Sequence, residues 1–317
     1  MLTAFVFDEQ ESQRREDWEA ALRDLGDGQL LWLALRDPTE EDLAALKEPL
    51  DLGDASLSRL HEHSRGAGVT DEGERIHVAV QAAVEAGLTT IECIVGPNWI
   101  VTAHEGEIEV LDEFRERAEG GGAIGELDAL SFVATLLVWV VASYVRAFER
   151  IEGELEELDA SVMVGTPQDA KTNLRRLVEL RRTIGTLRRA LTQHREVVLS
   201  LAHPELDLHS SEESARRFVD LESRLGDALE AARDAKDSTM GSFDVLVTRI
   251  GQRTNEIMKV LTLVSVILLP SAVLAGIMGM NFQVGLFDRA WMFWAIVVAM
   301  VGIAAVALAL ARFRRWI

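Results

Sequence analysis

Apolar and polar positions follow three rhythms along this chain. In residues 1–125, Ala4 to Phe7, Leu30 to Leu35, Ile76 to Val84, Thr89 to Val95 and Trp99 to Ala103 are short runs of β-branched, aliphatic or aromatic side chains. They predict strands, and the acidic stretches between them predict helices. Gly96-Pro97-Asn98 predicts a hairpin turn between the last two strands. An α/β domain with a mixed or antiparallel sheet follows, bounded by the flexible Gly120-Gly121-Gly122.

From residue 126 to 209 the rhythm is helical, and a hairpin of two helices is expected. Ala129 to Val145 is 17 residues without a charge, at the bottom of the spanning range, and it runs unbroken into the polar Arg146 to Asp159. A buried helix fits better than a membrane span. Pro167 marks the turn into a second, Arg-rich helix over Asp169 to Leu201. No proline then occurs between Pro204 and Pro270, while Phe218, Leu221, Leu225, Ala228, Ala232 and Leu246 keep a three-four spacing. That stripe predicts a stalk helix over 210–259, which Gly241 and Gly251 each weaken by roughly 1 kcal/mol against Ala, leaving room for a bend there.

The third rhythm is almost free of charge. From Val260 to Ala311 only Asp288 and Arg289 are charged, in a short polar break. Residues 260–281 and 290–311 are each long enough to cross a ~30 Å hydrocarbon layer, with 282–289 as a loop and 312–317 as a basic tail. Arg249, Arg253 and Lys259 precede the first span, and Arg312, Arg314 and Arg315 follow the second. This places both termini in the cytoplasm, with the protein in the inner, or plasma, membrane.

Composition narrows the class. Of 32 basic and 52 acidic residues, five and two lie from Asn255 onward, leaving 27 against 50 before it. Such a surface repels phosphate backbones and attracts cations, so nucleic acid is excluded as a partner. Cys93 is the only cysteine, so no intrachain disulfide or CxxC metal site exists, and its apolar strand reads as core. MLTAFVFDEQ lacks the pattern of a secretory signal. His61-Glu62-His63 spaces its histidines at i and i+2, which diverge on a helix, so no metal site is expected there. No catalytic constellation and no GxxxxGK[ST] loop appears, and an enzyme is not expected.

Asn255-Glu256-Ile257-Met258-Lys259-Val260-Leu261-Thr262, then Pro270, then Ala275-Gly276-Ile277-Met278-Gly279-Met280-Asn281-Phe282, resembles the CorA family of divalent-cation channels and transporters. Trp99-Ile100-Val101-Thr102-Ala103-His104-Glu105 looks like a strand of the same family. The resemblance implies an α+β cytoplasmic domain, a long stalk helix and two C-terminal transmembrane helices, assembled as a funnel-shaped homopentamer in the lipid bilayer. Its first spans would line a pore and carry Mg²⁺, Co²⁺ or Zn²⁺ as substrate and regulator. Gly279, Met280 and Asn281 would form the selectivity filter. At steps of three and four, Asn255, Met258, Leu261, Ser265, Leu269, Ala272 and Gly276 would share the lining face, with Met258, Leu261 and Leu269 as a dewetting gate. Asp220 matches the family's stalk-helix acid, and Glu74 or Asp71 of a neighbouring subunit is its expected partner.

Neutral amides and carbonyls suit a hard cation that stays largely hydrated, whereas zinc favours His or Cys, neither of which occurs after His209. The loop departs from the magnesium-transporting pattern: Gln283 to Asp288 replaces a Met-Pro-Glu-Leu type segment, and Asp288 is its only acid. A zinc transporter of the ZntB type is therefore an alternative, and a non-conducting sensor or scaffold is another. An inside-negative potential supplies ~2.3 kcal/mol per charge per 100 mV, enough for gated passive import.

Overall fold

The computed structural model describes residues 2–8, 12–26, 28–62, 66–119, 128–164, 167–202, 212–280 and 290–314. Two compact units are present, one of residues 1–161 with 171–243 and one of residues 162–170 with 244–317.

Among the described residues the first unit is built on a seven-stranded sheet. Its strands are β1 (Leu2–Phe7), β2 (Ser12–Arg15), β3 (Leu30–Arg36), β4 (Gly68–Asp71), β5 (Ile76–Val84), β6 (Gly87–Val95) and β7 (Trp99–His104), ordered β2-β1-β3-β7-β6-β5-β4. Among the described residues only β3 and β7 run parallel, so the sheet is mixed. Leu30 to Leu35 reads as a continuous apolar run because all six side chains are buried, on both faces of a central strand.

Helices cover each face. On one, Leu33, Leu35 and Val101 pack with Leu43 and Leu46 of α2 (Glu40–Lys47) and Leu60 of α3 (Asp54–Glu62). α1 (Trp18–Arg23) adds Trp18 and Leu22 at the edge of this core. On the other, Trp32 stacks on Phe5 at 5.2 Å and meets Phe114 of α4 (Glu109–Glu119) and Phe132 of α5 (Ala129–Val164) at 5.2 and 5.3 Å. Its indole N–H donates to Thr102 Oγ1 at 2.9 Å, so the polar atom enters the core with a partner. The Gly96-Pro97-Asn98 turn joins β6 and β7, with Gly96 N–H donating to the Trp99 carbonyl at 2.8 Å. A Cβ on Gly96 would lie 2.3 Å from the Trp99 ring, so only glycine fits beneath that indole.

The uncharged start of α5 is absorbed by this core: Phe132, Val140 and Tyr144 are fully buried. α6 (Pro167–Leu201) begins on proline, whose missing N–H costs nothing in a first turn. Its His194 ties helix to sheet. His194 Nε2 accepts from the Gln81 backbone N–H at 3.0 Å and Nδ1 lies 2.7 Å from the Ala190 carbonyl, while the Tyr144 hydroxyl donates to the Gln81 carbonyl at 2.7 Å. Burial holds His194 at a pKa of about 4, well below the ordinary 6.5. The two hydrogen bonds select one neutral tautomer, and a proton on Nε2 would face another N–H.

α7 (Glu212–Gly279) is continuous over 68 residues, through Gly241, Gly251 and Pro270. α8 (Ala290–Phe313) completes the second unit.

Candidate ion pathway

The apolar stretches of α7 and α8 are long and apolar enough to cross a membrane, and none of the first and 6% of the second is buried within the chain. The corresponding stretch of α5 is 67% buried. Its apolar side chains are already spent on the sheet.

Within the second unit, two faces of α7 differ. Leu263, Ile267, Ser271, Leu274 and Met278 are half-buried. Leu263 and Val266 border a groove of about 230 Å³ with Ala307 and Leu310 of α8, and Ala307 and Ala311 are buried there. On the opposite side, at ~100° per residue, Asn255, Met258, Leu261, Ser265, Leu269, Ala272 and Gly276 are all exposed. Met258, Leu261 and Leu269 are 55%, 57% and 69% accessible, unusual for aliphatic side chains unless lipid, a pore or another copy covers them.

Polar groups on this helix look after themselves. The hydroxyls of Thr262, Ser265 and Ser271 donate to the carbonyls of Met258, Leu261 and Ile267, four residues back, at 2.7, 2.9 and 2.9 Å. That removes the cost of a free hydroxyl in hydrocarbon. Pro270 cannot donate to Val266, and the helix carries it regardless. At its C-terminal end α7 stops at Gly279, and Met280 N–H closes a tighter turn onto the Ile277 carbonyl at 3.2 Å. Asn281 and Asp288 lie outside the described residues, as does Gly120-Gly121-Gly122.

The expected sensing acids fall in different places. Asp220 is exposed on α7. Asp71 ends β4 and its carboxylate accepts from Gly73 N–H at 2.8 Å, which commits one oxygen to the β4–β5 turn, where Glu74 is exposed. Among the described residues no three His, Cys, Asp or Glu side chains cluster to hold a metal ion.

A buried polar pair in the sheet escapes sequence reasoning. His77 on β5 and Glu92 on β6 lie 3.2 Å apart, 5% and 0% exposed, on the α3 side of the sheet. Burial first, then the Arg59 charge, lowers the His77 pKa to about 4. Arg59 in turn pairs with Glu72 at 2.9 Å. Strand alternation places both His77 and Glu92 on a core face, and their charge argues against it from sequence; the register of β5 and β6 decides.

The family model of the CorA-like Mg²⁺ transporter protein matches residues 27–315. The cobalt/magnesium transport protein CorA of Thermotoga maritima is 29% identical over 220 residues, which cover 68% of this chain and 61% of that protein. The Methanocaldococcus jannaschii protein of the same name is 23% identical over 297 residues, 92% of each chain. The complete structure of the M. jannaschii CorA magnesium transporter superposes with a TM-score of 0.83 at 21% identity, over 99% of this chain and 98% of that one. The sheet, the continuous α7 and the C-terminal α8 are thus one shared fold. By a match that spans nearly its whole length, the chain belongs to the family of CorA-like Mg²⁺ transporter proteins.

Proposed function

We propose that the chain is a homopentameric channel of the inner (plasma) membrane that imports hydrated Mg²⁺, with Co²⁺ as a second substrate, and keeps both termini in the cytoplasm. One observation carries the reading. The α7 face from Asn255 to Gly276 lies opposite the half-buried stripe from Leu263 to Met278, so it remains free to line a pore.

Five copies of that face would surround the ion with Ser265 hydroxyls and helix carbonyls, separated by the apolar rings of Met258, Leu261 and Leu269. Those rings can close by dewetting without a large movement. Gly279, Met280 and Asn281 form the outer filter, where neutral oxygens hold a hydrated hard cation without stripping its water. Asp288 in the loop adds one negative charge per copy near the mouth. Asp220, with Glu74 or Asp71 of the neighbouring subunit, binds cytoplasmic divalent ions and holds the channel closed when they are abundant. Relatives named for cobalt and magnesium transport support the choice of substrate.

The test is ion uptake into proteoliposomes, with Mg²⁺, Co²⁺ and Zn²⁺ in competition. Mg²⁺ uptake that Asn281→Ala abolishes in an intact oligomer is expected. Preferential Zn²⁺ uptake would move the substrate to zinc, and no cation uptake would leave a non-conducting sensor. Asp220→Lys is expected to give flux less inhibited by internal Mg²⁺, and unchanged inhibition would remove Asp220 from the gate.

A further inference from the structure

α6 inverts the charge of the rest of the chain. It carries eight basic and three acidic residues in a protein of net charge −20. Arg175, Arg182 and Arg189 are spaced by seven, and so stack in one column two turns apart. All three are exposed. Among the described residues the guanidinium groups of Arg175 and Arg182 make no ion pair, and that of Arg189 reaches only Thr186 Oγ1 of its own helix. α7 shows the complement: Asp220, Asp227 and Asp234 have the same seven-residue spacing, are exposed, and form no ion pair among the described residues.

The columns cannot neutralise each other within one chain, because both point away from the buried stripes of their helices. Between α6 and α7 the only ion pair among the described residues is Arg195 with Glu222, at 3.9 Å, outside both columns. That contact and two others set the level of the helices. Asn173 donates to Ser161 Oγ, and Ser242 donates to Asp159, so the start of α6 lies near residue 242 of α7. The helices therefore run antiparallel, with Arg182 level with Asp234 and Arg189 level with Asp227, to about one turn.

We infer that these columns form an electrostatic seam between copies of the chain, with Arg182 and Arg189 of one copy against Asp234 and Asp227 of the next. The inference rests on the cyclic oligomer proposed above. A rotation axis that runs along the stalk helices keeps every residue at its own height, so the level pairs within one chain become the facing pairs between chains. Arginine suits the role because its planar fork engages a carboxylate with two donors, and a repeated column has the geometry that single surface pairs lack. Asp220 lies beyond the two pairs and stays available to a cation.

The test uses full-length chains in detergent. Two differently tagged chains, one carrying Arg182→Cys and the other Asp234→Cys, are co-expressed, treated with a short bismaleimide and run beside a control pair of Arg182→Cys with Glu152→Cys, on the exposed face of α5. Cys93 is fully buried and stays silent. The seam predicts a cross-linked dimer of the two tags, absent from the control. Its yield falls from low salt to ~1 M salt, where the Debye length is about 3 Å. Replacing Arg182 and Arg189 together by Glu lowers the apparent mass of the oligomer at dilution, and Asp227→Arg with Asp234→Arg in the same chain restores it. An oligomer of native mass with no cross-link above control, and no response to charge reversal, overturns the seam and leaves the oligomer standing. A monomeric wild type in the same mass measurement overturns the oligomer itself.

Discussion

The sheet domain and the C-terminal helices solve the problem of apolar surface in opposite ways. In the first, Leu31, Leu33, Leu35 and Trp32 are hidden by helices of the same chain, and even the indole N–H has its partner. In the second, Leu261, Leu269, Trp294 and Val298 are more than half exposed. One region is completed by its own sequence; the other is completed by what surrounds it. Helix length and hydropathy do not separate the two solutions, since α5 and α8 both carry an apolar stretch long enough to span. The difference lies in whether a partner surface is folded beside the stretch.

The comparison breaks first if the sheet core is emptied. Phe132→Ala removes the ring wedged between Trp32, Phe7 and Phe114, at centroid distances of 5.3, 5.6 and 5.4 Å. A cost of about 3–5 kcal/mol is expected, read as a lower unfolding midpoint of the sheet domain in detergent, while the helicity of the spans persists. A loss of span helicity at the same midpoint would mean that the two regions melt as one.

Acid should act on the same region, by a smaller amount. The folded pKa of His194 is lowered, so the unfolded chain binds the extra proton between pH 6.5 and about 4. The neutral form therefore stabilises the fold fully above pH 6.5, and that contribution is lost as pH falls through about 4. His77 works in the same direction. A drop of roughly 3 kcal/mol is expected for His194 across this window, and His194→Gln should flatten the slope of stability against pH. An unchanged slope would show that His194 does not carry the acid response.

Smaller again is the surface fork between Arg146 of α5 and Glu113 of α4, with N to O distances of 2.8 and 2.7 Å and both side chains 36% exposed. Solvent screening limits Arg146→Lys to about 0.5–1 kcal/mol, measured by the same unfolding curve.

Much of this was legible from sequence, for physical reasons that also explain the gaps. β1, β3, β5, β6 and β7 announce themselves because each carries apolar side chains to a covered face. β2, Ser-Gln-Arg-Arg, and β4, Gly-Val-Thr-Asp, do not, because they are short edge strands held by one neighbour each, and backbone pairing needs no apolar pattern. Gly96 could be read as a turn residue, yet the indole above it could not. His194 sits among arginines in a helix that reads as solvated, and its burial follows from a strand more than 100 residues earlier. The stripe from Asn255 to Gly276 was legible as spacing, since a helix imposes its period on any face; its opposition to the half-buried stripe follows only from the folded chain.

The smallest effect on the fold should come from Leu269, and it sharpens the comparison most. Its side chain is 69% exposed within the chain, so Leu269→Ala removes almost no contact that the chain makes with itself. The sheet domain should unfold within about 0.5 kcal/mol of the wild type. Ion flux is the sensitive readout, because an apolar ring conducts only when wetted, and trimming it widens and wets the constriction. Leu269→Ala is expected to raise Mg²⁺ flux in proteoliposomes at saturating internal Mg²⁺, while the exposed Val264→Ala, five residues and ~140° around the helix, should not. Equal responses at the two positions would mean that exposure on α7 marks lipid contact all round, and the opposition of its two faces would lose its meaning.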